Sequence, residues 1–111
     1  MGEEYGALVQ ALQQTSIPFA EYAWKTRPEG IYGVVTLDFE SESLDGDQEK
    51  LDRTFSASID VFFPELAQRE NIVEEIESVL RGLCLTSWEL NSNQYETETG
   101  LFHIEWVCEV M

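Results

Sequence analysis

Between Ala67 and Leu83, the apolar residues Ile72, Val73, Ile76, Val79, Leu80 and Leu83 recur at helical spacing. Glu70, Glu74, Glu75, Glu77, Ser78 and Arg81 fall between them. The spacing predicts a helix with one apolar stripe and a charged back. Pro64 precedes it, where a missing N–H costs little, and Glu65 and Glu70 suit the positive end of the helix dipole. Arg81 stands in the last turn and Gly82 is the expected stop. Such a helix is not stable alone in water; its stripe requires a sheet to lie on.

The rest of the chain supplies that sheet. Ile31 to Ser43 alternates, with Ile31, Gly33, Val35, Leu37 and Phe39 on one face and Thr36, Asp38, Glu40 and Glu42 on the other. Arg53 to Phe63 alternates likewise, Phe55, Ala57, Ile59, Val61 and Phe63 opposing Ser56, Ser58, Asp60 and Phe62. The two are expected to form a long hairpin across an acidic loop turning at Asp45-Gly46-Asp47. Trp88 to Thr97 and Leu101 to Val110 form a second hairpin, turning at Glu98-Thr99-Gly100. Asn91-Ser92-Asn93 interrupts its alternation and predicts a bulge. Phe102, Ile104, Trp106, Cys108 and Val110 form the inner face of the last strand; Leu101, His103, Glu105, Val107 and Glu109 form the outer one. Near the N-terminus, Tyr5, Leu8, Val9 and Leu12 predict a short amphipathic helix over Glu3 to Gln14. Pro18 then favours an extended piece, an edge strand pinned by Phe19 or Trp24. The expected fold is therefore α+β, a two-layer sandwich of order α-β-β-α-β-β. It has an antiparallel sheet of about four strands with two helices on one face, and residues 1–111 form a single domain.

Charge narrows the function. The chain has 22 acidic residues against 6 Lys and Arg, a net −16. So acidic a surface repels phosphate backbones and anionic membrane, so nucleic-acid binding is not expected. No apolar run reaches membrane-spanning length and the first residues lack the basic region of a signal peptide, so cytosolic synthesis is expected. Two cysteines, Cys84 and Cys108, are too few for a disulfide framework.

No arrangement of residues points to catalysis. His103 is the only histidine; Glu105 shares its face, but no Ser or Cys stands in a nucleophile motif, so it reads as a partly exposed sheet residue. Cys84, Cys108 and His103 lack zinc-ligand spacing, and the loop around Gly46 fails the calcium-loop pattern. Glu96 and Glu98, on one strand face beside a turn, read as solvated carboxylates rather than an acid–base pair. No phosphate loop or dinucleotide fingerprint is present. The expectation is no enzyme, no cofactor, no metal and no small-molecule substrate. What stands out is the sheet face turned away from the helices. Alternation assigns it Tyr32, Val34, Phe62, Leu101 and Val107, an apolar row that marks a candidate protein interface.

The residues Ile17-Pro18-Phe19-Ala20-Glu21-Tyr22-Ala23-Trp24, Tyr32-Gly33-Val34-Val35 and Ser58-Ile59-Asp60-Val61-Phe62 carry a resemblance. So, more specifically, do Trp88-Glu89-Leu90-Asn91-Ser92-Asn93-Gln94-Tyr95-Glu96 and Thr99-Gly100-Leu101-Phe102-His103-Ile104-Glu105-Trp106. The chain resembles a small tail-assembly protein of tailed phages and prophages, similar in layout to tail-terminator and head–tail joining proteins. The resemblance implies a structural virion-assembly protein that forms a homo-oligomeric ring, commonly six-fold. It would contact tail-tube or neck proteins, first in the bacterial host's cytoplasm and then in the virion tail. The alternative from charge alone is an acidic inhibitor that mimics DNA towards a basic host protein.

Overall fold

The computed structural model describes residues 3–44, 51–83 and 87–110. Helix α1 (Glu3–Gln13) leads into strands β1 (Phe19–Glu21), β2 (Tyr32–Leu44) and β3 (Leu51–Phe63). A 3-10 turn (Leu66–Gln68) precedes helix α2 (Arg69–Arg81), and β4 (Ser87–Glu96) and β5 (Leu101–Val110) follow. The strands form one five-stranded sheet in the order β1-β2-β3-β5-β4. The α+β class holds, but the sheet gains a strand over the expected four. β1 pairs parallel to β2, with Phe19 opposite Gly33, while every other pair is antiparallel.

Phe19 explains why so short a strand persists. A Cβ added to Gly33 would lie only 2.4 Å from the Phe19 ring, so the ring occupies the space that Gly33 leaves open. The Gly33 N–H donates to Pro18 O at 2.8 Å and the Trp24 indole donates to Gly33 O at 3.0 Å. Phe19 is buried and Trp24 half-buried, so Phe19 is the deeper anchor. Beyond β1 the chain turns through Tyr22 at φ 68°, the left-handed region.

One face of the sheet meets both helices. Cross-strand rows such as Val35–Ile59–Trp106–Leu90 and Leu37–Ala57–Cys108–Trp88 run along it. Tyr5, Leu8 and Leu12 of α1 and Ile72, Ile76 and Leu80 of α2 are buried in the same cluster as Val35, Ile59, Val61 and Trp106. Val73, Val79 and Leu83 are half-buried against it. The indole of Trp106 is wholly buried and donates to Glu77 Oε2 at 3.1 Å, which satisfies its one polar group. The Ser16 backbone N–H and hydroxyl both donate to Glu75, at 2.8 and 2.6 Å, tying the end of α1's connection to α2.

Several local expectations are corrected. The helix expected from Ala67 begins at Arg69, because the chain first makes the 3-10 turn. Gly82 caps α2 at φ −82°, so it ends the helix without using the left-handed conformation that favours glycine. In β2 the register slips between Leu37 and Phe39, leaving Asp38 as an extra residue. Phe39 therefore pairs with Ser56, where an unbroken ladder would have set Asp38 opposite Ser56. The slip in β4 between Leu90 and Ser92 leaves Asn91 unpaired, at the site where the alternation breaks. The second hairpin turns with Gly100 at φ +73°, its N–H donating to Glu96 O at 2.9 Å. The turn assigned to Asp45-Gly46-Asp47, and Cys84, lie outside the described residues.

Candidate functional site

The sheet face away from the helices is built from alternate residues of β2, β3, β5 and β4. Register puts Tyr32, Phe62, His103 and Gln94 in one row across all four. Tyr32 and Phe62 stack at 5.0 Å, and Phe62 and His103 at 4.3 Å, both pairs with planes 16° apart. Arg27, from the loop before β2, brings its guanidinium to 5.8 Å from the Tyr32 ring. The next row holds Val34, Asp60 and Glu105, and the one after it Thr36, Ser58 and Val107.

Of the five candidate interface residues, Tyr32 is buried, and Val34, Phe62, Leu101 and Val107 are half-buried. All five lie on this face. Three of them are separated by polar neighbours, so the row is an aromatic stack within a mixed surface rather than a continuous apolar patch.

His103 ties three strands together. Its Nε2 is 2.7 Å from Asp60 Oδ1 of β3, and its Nδ1 is 3.3 Å from Glu96 Oε2 of β4. Carboxylates only accept, so a ring with a proton on each nitrogen is the form that suits both neighbours. The hydrogen bond to Asp60 holds the His103 pKa above its ordinary value; burial opposes it, and the charges of Asp60, Glu96 and Glu105 reinforce it. Glu105 also accepts from Asn91 Nδ2 at 3.0 Å. The expected pairing of Glu96 with Glu98 on one strand face is corrected: β4 ends at Glu96, whose carboxylate turns to His103, and Glu98 sits exposed in the turn. Glu96 is close to His103 in sequence, across the turn of one hairpin, but Asp60 is 43 residues away. The shared face of Asp60 and His103 was the one available signal, and it required knowing that β5 lies against β3.

Two further surfaces lie at the edges of the sheet. On the helix side of β4, Leu90 is 39% and Tyr95 54% exposed. Trp88 beside them is half-buried, and Tyr95 leans on Phe102 at 4.8 Å. Arg69 joins this shelf: with the Asn93 amide assigned so that its oxygen faces the guanidinium, that oxygen accepts at 3.0 and 3.1 Å. At the opposite edge an open hollow is lined by Tyr5, Gly6, Ala7, Gln10, Gln13 and Glu21. Tyr5 donates its hydroxyl to Glu21 Oε2 at 3.1 Å, and burial together with that carboxylate pushes its phenol well above the ordinary range.

Among the described residues, no group of three or more His, Cys, Asp and Glu side chains is placed to hold a metal ion. Cys108 is buried with a free thiol that burial pushes up to about 12, and acts as a small apolar residue of the core. No helix among the described residues is long and apolar enough to cross a membrane.

No protein-family model and no curated protein matches the chain. Its fold is similar to that of a chain in the solved structure of the virion of a native gene transfer agent particle. The TM-score is 0.60 and the identity 15%, over 94% of this chain and 90% of that one. At that identity, the likeness is one of fold.

Proposed function

We propose that the chain is a structural virion-assembly protein that works by protein–protein contact and not by catalysis. More finely, we assign it as a tail-terminator-like or head–tail connector subunit. It would act in a ring of its own copies against tail-tube or neck proteins, in the host cytoplasm during assembly and then in the virion tail. The observation that carries this reading is the fold shared with a chain of a gene transfer agent virion over nearly the whole length. The resemblance of the C-terminal hairpin to small phage tail-assembly proteins supports it, and so does the net −16 charge, which would not retain passing DNA. The rival, an acidic DNA mimic, draws on net charge alone. On the open face, Asp60 and Glu96 are turned towards His103 rather than set out for a partner.

The test is co-expression with the tail-tube protein encoded nearest its gene, followed by size-exclusion chromatography with light scattering. The expected result is a complex of defined stoichiometry. A protein that stays monomeric and binds neither tube nor neck proteins would overturn the reading.

A further inference from the structure

We propose that the chain meets a second copy of itself head to tail, the shelf on β4 of one copy seating in the hollow beside α1 and β1 of the next. This rests on the ring reading above and names the surfaces the ring would use.

Charge is the first argument. Copies at net −16 repel one another, so self-association must use regions with little charge. The longest uncharged run in the sequence is Tyr5 to Ala20, which forms α1, its connection and the start of β1. Gly82 to Tyr95 carries a single charge, Glu89, and most of β4 lies in it. The sheet order places these two segments at opposite edges. A contact between two copies of one edge would be a different, two-fold arrangement; joining unlike edges gives a head-to-tail one that closes into a ring or runs on as a filament.

Strand direction is the second. β4 runs antiparallel to β5, and β5 runs with β2, so β4 is antiparallel to both β2 and β1. The β1 edge of a following copy therefore meets β4 antiparallel with the helices of both copies on the same side. Each of these strands is paired on one side only.

Shape and local charge are the third. Leu90 and Tyr95 are exposed apolar groups, while the hollow opens over Gly6 and Ala7, between the longer side chains of Tyr5, Gln10, Gln13 and Glu21. A Cβ at Gly6 would meet nothing within 4 Å, so the space there is open. Arg69 lies at the shelf and Glu21 in the hollow, so the two surfaces carry opposite charges.

The test is sedimentation velocity of the full chain and two variants, Gly6→Glu and Tyr95→Glu, in about 0.5 M salt, where charge repulsion reaches only a few Å. Gly6→Glu favours the helix over glycine, and Tyr95 is exposed, so both variants should fold; circular dichroism checks this. Should either fail, Gln10→Glu replaces the first and Leu90→Glu the second. The expected result is an oligomeric parent, two monomeric variants, and an equimolar mixture of the variants that forms dimers and nothing larger. In that mixture one variant keeps its shelf and the other its hollow. Variants that assemble like the parent, or a mixture that stays monomeric, would overturn the head-to-tail contact and leave the virion reading standing. A parent that remains monomeric would overturn the contact as well; the virion reading would then depend on whether that parent still binds the tube protein.

Discussion

On the helix-covered side of the sheet, Val35, Ile59, Val61 and Trp106 are buried in one cluster with α1 and α2, and the Trp106 indole donates to Glu77. On the open side the same strands carry Tyr32, Phe62 and His103 stacked on one another, with Asp60, Glu96 and Glu105 around the imidazole. The covered side gains from removing apolar surface from water, which is indifferent to pH and to exact pairing. The open side depends on directional contacts between neighbouring strands, each worth a fraction of a core residue. The covered face therefore sets whether the chain folds. The open face contributes to register, and the imidazole of His103 gives it a response to pH near neutrality.

The hardest test of that contrast is Ile76→Asp, at the centre of the α2 stripe. A lone carboxylate there has no partner, and the cost of several kcal/mol should abolish cooperative folding. A melting temperature equal to the parent's would mean that α2 does not face the sheet. Gly33→Ala comes next. Its methyl group collides with the Phe19 ring, and displacing that ring should cost about 1–3 kcal/mol, read by urea denaturation. An unchanged midpoint would show that β1 is not anchored through this contact.

Phe62→Ser probes the other face. It removes two ring contacts and should cost about 1 kcal/mol while leaving the fold intact. If the open face also binds a partner, the variant should bind the tail-tube protein more weakly; equal binding would take that face out of the interface. The smallest effect is the response to pH. Because the folded His103 pKa lies above its ordinary 6.5, the native state holds the proton more tightly than the unfolded chain. Its stabilisation is complete below about pH 6.5 and is lost as pH rises through the folded value. The melting temperature of the parent relative to His103→Gln should therefore fall across that window. As the only histidine, His103 also gives one imidazole signal to titrate by NMR.

Much of this layout was legible because periodicity is local. The α2 stripe, the alternation of β3 and β5 and the break at Asn91 each follow from a dozen neighbouring residues. What escaped was whatever depends on a partner distant in sequence. Leu37-Asp38-Phe39 reads as unbroken alternation, and the extra residue at Asp38 shows only in its register with Ala57 and Ser56. β1 is too short to have a period, and its parallel pairing follows from the fit of Phe19 over Gly33. The candidate interface residues could be assigned to a face but not to a degree of exposure, since Tyr32 is shielded by neighbours from other segments. The edge shelf of Leu90 and Tyr95 escaped for the same reason: alternation places Leu90 inward, the register slip at Asn91 brings Tyr95 to the same side, and only the strand order reveals that β4 is outermost.

The seam between β3 and β5 also has a consequence for how the chain reaches this shape. Each hairpin closes over a short loop, but Ala57, Ile59 and Val61 must find Cys108, Trp106 and Ile104 across some forty residues or more of intervening chain. Closing so long a loop is entropically slow. The two hairpins should therefore form early and separately, and their docking should limit the refolding rate. Substitutions along that seam would slow refolding more than substitutions within either hairpin.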